Sequence, residues 1–275
     1  MWEKFNYILK NYNVMELFLI LFERILKLRL PISSKLRWKF NISSEIRFWD
    51  NCIRTNGLIW PEEFRLRLDP QLALQDEIAK LLPLTSEVMI LDVGAGPLTY
   101  IGKIYNSVKL KIIAVDPLAE EYDKILYRYS LIPLIHTEKL DAEKLTKRFA
   151  ENSFDLVFAR NCIDHSYSPE NAILEMLKVV KEGCYVLLLH RPNEAEQEKW
   201  RGLHQWNFSM EDENFVISSK NYKINFSKKY SHLCITKCEY DPTEDMLITK
   251  LLKTKLQPSS KILINNLGVS DKYYN

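Results

Sequence analysis

The sequence has almost no charge bias. Lys and Arg number 38 against 36 Asp and Glu, for a net +2 at pH 7. So small an excess supplies no field of the kind that steers a protein to nucleic acid or to an anionic membrane. The basic residues are scattered apart from a modest cluster at Lys27, Arg29, Lys35, Arg37 and Lys39. There is no internal repeat and no low-complexity tract. A bilayer-spanning apolar run is also lacking, because Glu16, Glu23, Arg24 and Lys27 interrupt the richest stretch, Val14 to Leu28. That stretch is too short and too charged to cross a membrane and has no signal-type cleavage site after it. Glu16, Glu23 and Lys27 share one helical face, so it reads as an amphipathic helix packed on its own domain or on a partner subunit, consistent with a homodimer formed through N-terminal helices. The five cysteines (52, 162, 184, 234 and 238) form no even framework in a chain long enough to bury a core without disulfides. Cys234 and Cys238 have no second pair to complete a zinc site, and Cys162 and Cys184 fall in apolar runs where buried thiols are common. A reducing cytoplasm is the expected location.

What is present divides the chain by texture. Residues 1–84 show helical patterns with aromatics (Trp38, Phe48, Trp49, Trp60, Phe64) broken near Pro31, Pro61 and Pro70. From Val88 onward, short apolar runs alternate with amphipathic stretches. The runs are Val88–Val93, Lys111–Val115, Leu131–His136, Phe154–Ala159 and Tyr185–His190, with helices expected near 98–106, 118–128, 142–150 and 169–181. Strand–helix alternation with right-handed crossovers predicts an α/β, doubly wound, mostly parallel Rossmann-like sheet of the seven-stranded type. After His190 the runs Phe215–Ser218, Tyr222–Phe226, Leu233–Cys238 and Met246–Leu251 lack crossover helices and predict antiparallel edge strands. The expected units are a helical segment over 1–84, a nucleotide-binding domain over 85–258 and a tail over 259–275.

The chemistry begins where Ile90-Leu91-Asp92-Val93 runs into Gly94-Ala95-Gly96-Pro97. A buried strand entering a glycine turn places backbone N–H groups outside the carboxyl end of the sheet, where such folds bind ligands. Gly94 and Gly96 let the chain turn sharply, and Pro97 suits the first turn of a helix. Thr99 stands where a dinucleotide fingerprint needs its third glycine, so the motif alone is a weak nucleotide signal. Asp116 sharpens it by ending the second strand, where its carboxylate can accept from both ribose hydroxyls. No basic residue flanks the loop to receive a pyrophosphate, so an adenosyl ligand without phosphates fits better than NAD. The bland alternative is a tight turn followed by an Asp that caps the next helix.

Over about residues 85–195 the sequence resembles class I S-adenosylmethionine (SAM)-dependent methyltransferases. Leu91 to Pro97 looks like that family's first motif and Val115-Asp116-Pro117 like its ribose-binding acid. Phe154-Asp155-Leu156-Val157 looks like its fourth-strand motif, and Met176 to Gly183 like the turn before its fifth strand, with Glu182 and Cys184 departing from the pattern. The resemblance implies SAM as cofactor, held by Asp92, Gly94, Ala95, Gly96, Asp116, Pro117 and Asn161, with Asp141 and Ala142 at the adenine.

The acceptor groups are expected after the fourth strand, in Arg160-Asn161-Cys162-Ile163-Asp164-His165-Ser166. His165 is the candidate general base, since an imidazole titrates near neutrality and the loop resembles that of phosphoethanolamine methyltransferases. The alternative is a loop histidine bonded to backbone. A second polar strip supplies His190, Asn193, Glu194, His204 and Trp206 as candidate substrate contacts. Glu194 and Glu196 equally suit the first turn of a helix. The strip, with the upstream Phe48 to Pro70 segment as a lid, resembles bacterial methyltransferases of surface-polysaccharide pathways. Arg65 and Arg67 would then meet an anionic acceptor, surface arginines being the alternative. That resemblance implies O-methylation of a small polar acceptor, a sugar or a phosphoryl- or phosphoramidate-type polysaccharide precursor. The competing readings are an NAD-dependent oxidoreductase and a non-catalytic SAM-binding partner of another enzyme. Asp164, His165, His190, Glu194 and His204 show no short ligand spacing, so no metal is expected.

Overall fold

The structure is a computed structural model that describes residues 34–58 and 60–255. The amphipathic helix expected over Val14–Leu28, the dimer contacts expected of it and the tail after Pro258 lie outside the described residues. No described helix is long and apolar enough to cross a membrane.

Three helices lead in: α1 (Ser34–Arg54), α2 (Pro61–Leu68) and α3 (Asp76–Ala79). Pro61 occupies the first turn of α2, where a missing N–H costs nothing. There follow β1 (Glu87–Val93), β2 (Lys109–Asp116), α4 (Ala119–Arg128), β3 (Thr137–Lys139), β4 (Phe154–Arg160), α5 (Pro169–Val179) and β5 (Val180–His190). The remainder is α6 (Glu194–Gln197), β6 (Asn207–Glu211), β7 (Asn214–Ser219), β8 (Tyr222–Asn225), α7 (Phe226–Lys229), β9 (Cys234–Asp241) and β10 (Met246–Lys253). Seven strands form one sheet in the order β3-β2-β1-β4-β5-β10-β9. The first five run parallel, and β10 pairs antiparallel with both β5 and β9. This is the Rossmann-like sheet with antiparallel edge strands that the run spacing predicts. β4 is buried at six of its seven positions, as a central parallel strand covered on both faces must be.

Four local expectations are corrected. No helix follows the glycine turn near 98–106. That stretch instead hydrogen-bonds to the segment before α3, through Leu74 N to Ile104 O (2.7 Å) and Lys103 N to Leu72 O (2.7 Å). Backbone pairing across the domain outcompetes the local helix. The run Leu131–His136 is not a strand either. Pro133 lies within it, Ile132 and Leu134 are exposed, and the register with β2 is taken by Thr137–Lys139. Residues 142–150 give only a 3₁₀ turn over Ala142–Lys147. Finally, β7 and β8 do not join the main sheet edge. With β6 they make a separate three-stranded antiparallel sheet, and Phe226 opens α7.

Each layer has its own core. One sheet face packs Leu91, Val157, Val186 and Leu188 against α5 and against Phe208, Phe215 and Phe226 of the small sheet and α7. The opposite face packs Ile90, Leu156, Phe158 and Leu187 against Leu74 and Ile78. A third cluster joins Cys52 and Ile53 of α1, Phe64 of α2 and Tyr122, Ile125 and Leu126 of α4. It sets α1 and α2 above the carboxyl ends of β1 and β2. The strand order reverses between β1 and β4, and that point is where such a sheet opens a crevice for a ligand.

Candidate active site

A cavity of about 600 Å³ occupies this crevice. Its floor is the turn after β1. Gly94 and Gly96 have φ of +70° and +63°, and a Cβ on Gly96 would stand 2.7 Å from the Trp49 ring. Both the left-handed backbone and the close ring require glycine there. Gly96→Ala should therefore weaken binding of S-adenosylhomocysteine (SAH) at least tenfold and destabilise the fold by about 1–2 kcal/mol; calorimetry and a thermal melt check this, and wild-type values in both would refute it.

Asp116 stands at the end of β2 beside that turn, only 7% exposed. Its Oδ2 accepts from Gly96 N (3.2 Å) and its Oδ1 from Leu118 N (2.8 Å). Asp116 thus does cap the next turn, and it also closes the cofactor loop. Burial pushes its carboxyl up to about 7. Asp92, behind the loop and bonded to Thr99 Oγ1 at 2.5 Å, is pushed by burial to about 6. Glu143, on the cavity wall beside Asp141 and Ala142, is pushed by burial to about 7. Asp116 and Glu143 face the cavity, and Asp92 supports the turn from behind; carboxyls at this end suit a ligand that brings hydroxyl donors.

Of the residues expected to hold that ligand, Gly94, Ala95, Gly96, Asp116, Pro117, Asp141, Ala142 and Asn161 all line the cavity. Asp92 lies behind them and supports the turn. Asn161, at φ +46°, accepts from Arg191 N at 3.0 Å and so fastens the end of β4 to the end of β5. Asp141 accepts from Lys144 and from the Tyr167 hydroxyl.

The opposite wall of the cavity is built by the loop after β4 and the segment after β5. Ile163–His165 form a 3₁₀ turn that buries Asp164 and turns His165 to the cavity. His165 Nε2 lies 3.1 Å from His204 Nδ1 and 3.3 Å from Asp164 Oδ2. His204 Nδ1 lies 3.4 Å from the same carboxylate oxygen. Burial alone would raise the Asp164 carboxyl, but His165 and then His204 and His190 hold it well below the usual range. Burial would lower His204, yet Asp164 outweighs it and the ring is raised. Glu194 joins the same wall, raised by burial and then by Asp164. His165 Nδ1 faces Glu45 Oε2 at 3.7 Å, and Glu45 Oε1 accepts from Trp49 Nε1 at 2.9 Å.

Four candidates stand elsewhere. Arg65 points to solvent and pairs with Glu62, whereas Arg67 lines the cavity. Two residues apart on a helix are about 200° apart around its axis, so only one of them can face inward. His190 is buried behind the loop, where Nε2 accepts from Ile163 N (3.2 Å) and Cys162 N (3.4 Å). The ring's proton is therefore on Nδ1, and burial lowers its pKa to about 4. Asn193 takes a left-handed conformation ahead of α6, and its N–H donates to Phe208 O rather than to the cavity. Trp206 lines a second cavity of about 240 Å³ with Trp38, Tyr167 and Trp200, and this space shares His165 and Ser166 with the first. Cys162, placed by its run in a strand, sits in the loop instead, with its thiol on Val93 O at 3.1 Å.

Glu45 and Glu63 were not legible as site residues. Glu63 accepts from Arg67 (2.7 Å) and from Arg160 (2.9 Å), tying α2 to the end of β4. The one sequence hint for Glu45 is its i, i+4 spacing to Trp49 on α1.

A parallel sheet with a glycine turn at its switch point and a buried acid ending the neighbouring strand is the arrangement found in class I SAM-dependent methyltransferase domains, and the methyl donor it implies is SAM. Residues 91–188 match the family model described as "Methyltransferase domain". The chain is 29% identical over 120 residues to the malonyl-[acyl-carrier protein] O-methyltransferase of Marinomonas sp. (strain MWYL1). That match covers 43% of this chain and 44% of that protein, so the chain spans less than half the length of the curated relative. Among solved structures it is similar to an S-adenosyl-L-methionine-dependent methyltransferase from Methanococcus maripaludis, at 12% identity and a TM-score of 0.49, covering 78% of this chain and 94% of the other. It is also similar to a methyltransferase of an antibiotic biosynthesis pathway from Anabaena variabilis, at 25% identity and a TM-score of 0.34, covering 43% and 45%.

Proposed function

We propose that the protein transfers a methyl group from SAM to an oxygen of a small polar acceptor. The acceptor class proposed is a sugar, or a phosphoryl- or phosphoramidate-type precursor of a cell-surface polysaccharide. The observation that carries the reading is the continuity of one cavity. It runs from the glycine turn and Asp116 directly to His165, Glu194 and His204.

The cofactor, when bound, supplies a methyl group on positive sulfur that needs only an aligned nucleophile. Gly94, Gly96 and Asp116 hold its adenosyl part, and Asp141 and Ala142 flank the adenine. The remaining work is alignment, worth as much as about 7–11 kcal/mol, and removal of a proton where the acceptor is a hydroxyl. His165 stands at that point. Its Nε2 is tied to Asp164 and His204, so a proton arriving on this cluster is shared with a buried carboxylate that stays ionised. A carboxylate or phosphoryl oxygen needs no such group. The acidic surroundings of the cavity also suit a hydroxyl better than an anion. The aromatic second cavity beside His165 gives a sugar ring flat apolar surfaces to lie against.

Tritiated methyl transfer to a panel of nucleotide sugars and sugar phosphates tests the class. His165→Ala should lower turnover by about 10²–10⁴-fold with SAH affinity unchanged. A loss below threefold would exclude a hydroxyl acceptor that depends on this cluster and leave an already anionic oxygen, as in the malonyl acceptor of the Marinomonas relative.

A further inference from the structure

Asp164 Oδ2, His165 Nε2 and His204 Nδ1 form a nearly equilateral triangle with edges of 3.1, 3.3 and 3.4 Å. Protons satisfy such a triangle poorly. A proton on each nitrogen sets two N–H groups against each other across 3.1 Å, and a single proton leaves one imidazole lone pair facing a carboxylate. One cation satisfies all three lone pairs together. Ligand atoms at the usual ~2.0–2.1 Å from a tetrahedral ion lie about 3.3 Å from one another, the spacing found.

Two further observations point to a ligand. The other carboxylate oxygen, Asp164 Oδ1, is buried with no hydrogen-bond partner, on a residue only 2% exposed. And His165 Nδ1 faces Glu45 Oε2 at 3.7 Å, with Glu45 itself fixed by Trp49, a short approach from the hydrogen bond by which an outer carboxylate orients a metal-bound imidazole. His165 and His204 line the cavity, so one face of the triangle opens towards the acceptor space.

We propose that Asp164, His165 and His204 bind one divalent first-row transition-metal ion, Zn²⁺ being the best fit, with a coordination position open to the cavity. Two imidazoles and one carboxylate suit zinc, iron or cobalt rather than magnesium, which prefers oxygen throughout. The inference deepens the reading above and rests on it only for one consequence: with the ion bound, His165 Nε2 would be a ligand and take no proton, and an acceptor hydroxyl on the open position would ionise more readily, releasing its proton to solvent.

The test uses the full chain stripped with chelator and titrated with Co²⁺ and Zn²⁺. One equivalent of Co²⁺ should give the visible bands of a low-symmetry nitrogen–oxygen site, and Zn²⁺ should abolish them. His204→Ala should weaken Zn²⁺ at least 100-fold, and Glu45→Gln about 10–100-fold, with SAH binding retained as proof of folding. No cobalt bands in the wild type, or zinc affinity unchanged in both His204→Ala and His165→Ala, would overturn the proposal. Metal failure leaves methyl transfer intact if His165→Ala still abolishes turnover. A chain that binds zinc at these residues but methylates no oxygen acceptor keeps the metal site and loses the functional reading.

Discussion

Asp116→Asn should weaken SAH binding at least about 100-fold and cost the ligand-free protein about 1–3 kcal/mol of stability, through one backbone N–H left without an acceptor. Hydrogen bonds to an ionised group are worth about 1.5–3 kcal/mol each, and asparagine gives up the charge at both ribose hydroxyls. The free protein gains little from the charge itself but loses one of the two bonds accepted from Gly96 N and Leu118 N, since an amide NH2 cannot accept. Burial lifts the Asp116 carboxyl from 3.8 to about 7, so between those values the folded chain keeps a proton that the unfolded chain has released. Stability from this group is therefore full below pH 4 and declines as pH rises to about 7. Asp92, near 6, and Glu143, near 7, act in the same direction. Ligand affinity runs the other way, since the ionised carboxylate is the stronger acceptor. Wild-type SAH affinity should rise between pH 6 and 8, and the asparagine variant should stay flat. Calorimetry at three pH values measures both; unimpaired binding by the variant would remove the adenosyl cradle from this site.

Glu63→Gln should cost about 2–4 kcal/mol of stability and lower the melting temperature by about 5–15 °C. Glu63 accepts from both Arg67 and Arg160, and Arg67 also donates to Leu98 O at 2.7 Å. Arg160 lies 4.2 Å over the Tyr100 ring, so neither guanidinium can swing freely to water when its carboxylate is gone. The partial exposure of the three side chains keeps the figure below that of a fully buried network. Burial raises Glu63, but Arg67 and Arg160 outweigh it and lower its pKa below 4.5. The contribution is complete above that value and fades as acid titrates the folded carboxyl. The wild-type advantage over Glu63→Gln should shrink between pH 6 and pH 3. Melting within 1 °C of wild type at pH 7 would show the bridge to be ornamental.

The sequence by itself determined the parallel sheet and the glycine turn at its switch point. Apolar runs of strand length, spaced by amphipathic helices, leave few other ways to bury both faces; Gly94 and Gly96 act through local backbone geometry, and Asp116 reaches Gly96 through the parallel pairing of β1 with β2 that those runs imply. Where local signal was overruled, the cause was long-range. Residues 98–106 pair with the chain before α3 instead of coiling, and Pro133 surrenders the β3 register to Thr137–Lys139. Only the tertiary structure decided the acceptor side. Asp164 and His204 are 40 residues apart, Glu45 and His165 are 120 apart, and no spacing rule links them; they meet because β4, β5 and α1 end at one crevice. The same folding turned Arg67 inward and Arg65 outward, and placed His190 behind the site rather than in it. Local residues fix a local turn, whereas a cluster of side chains from separate elements exists only once hydrophobic burial has set those elements side by side.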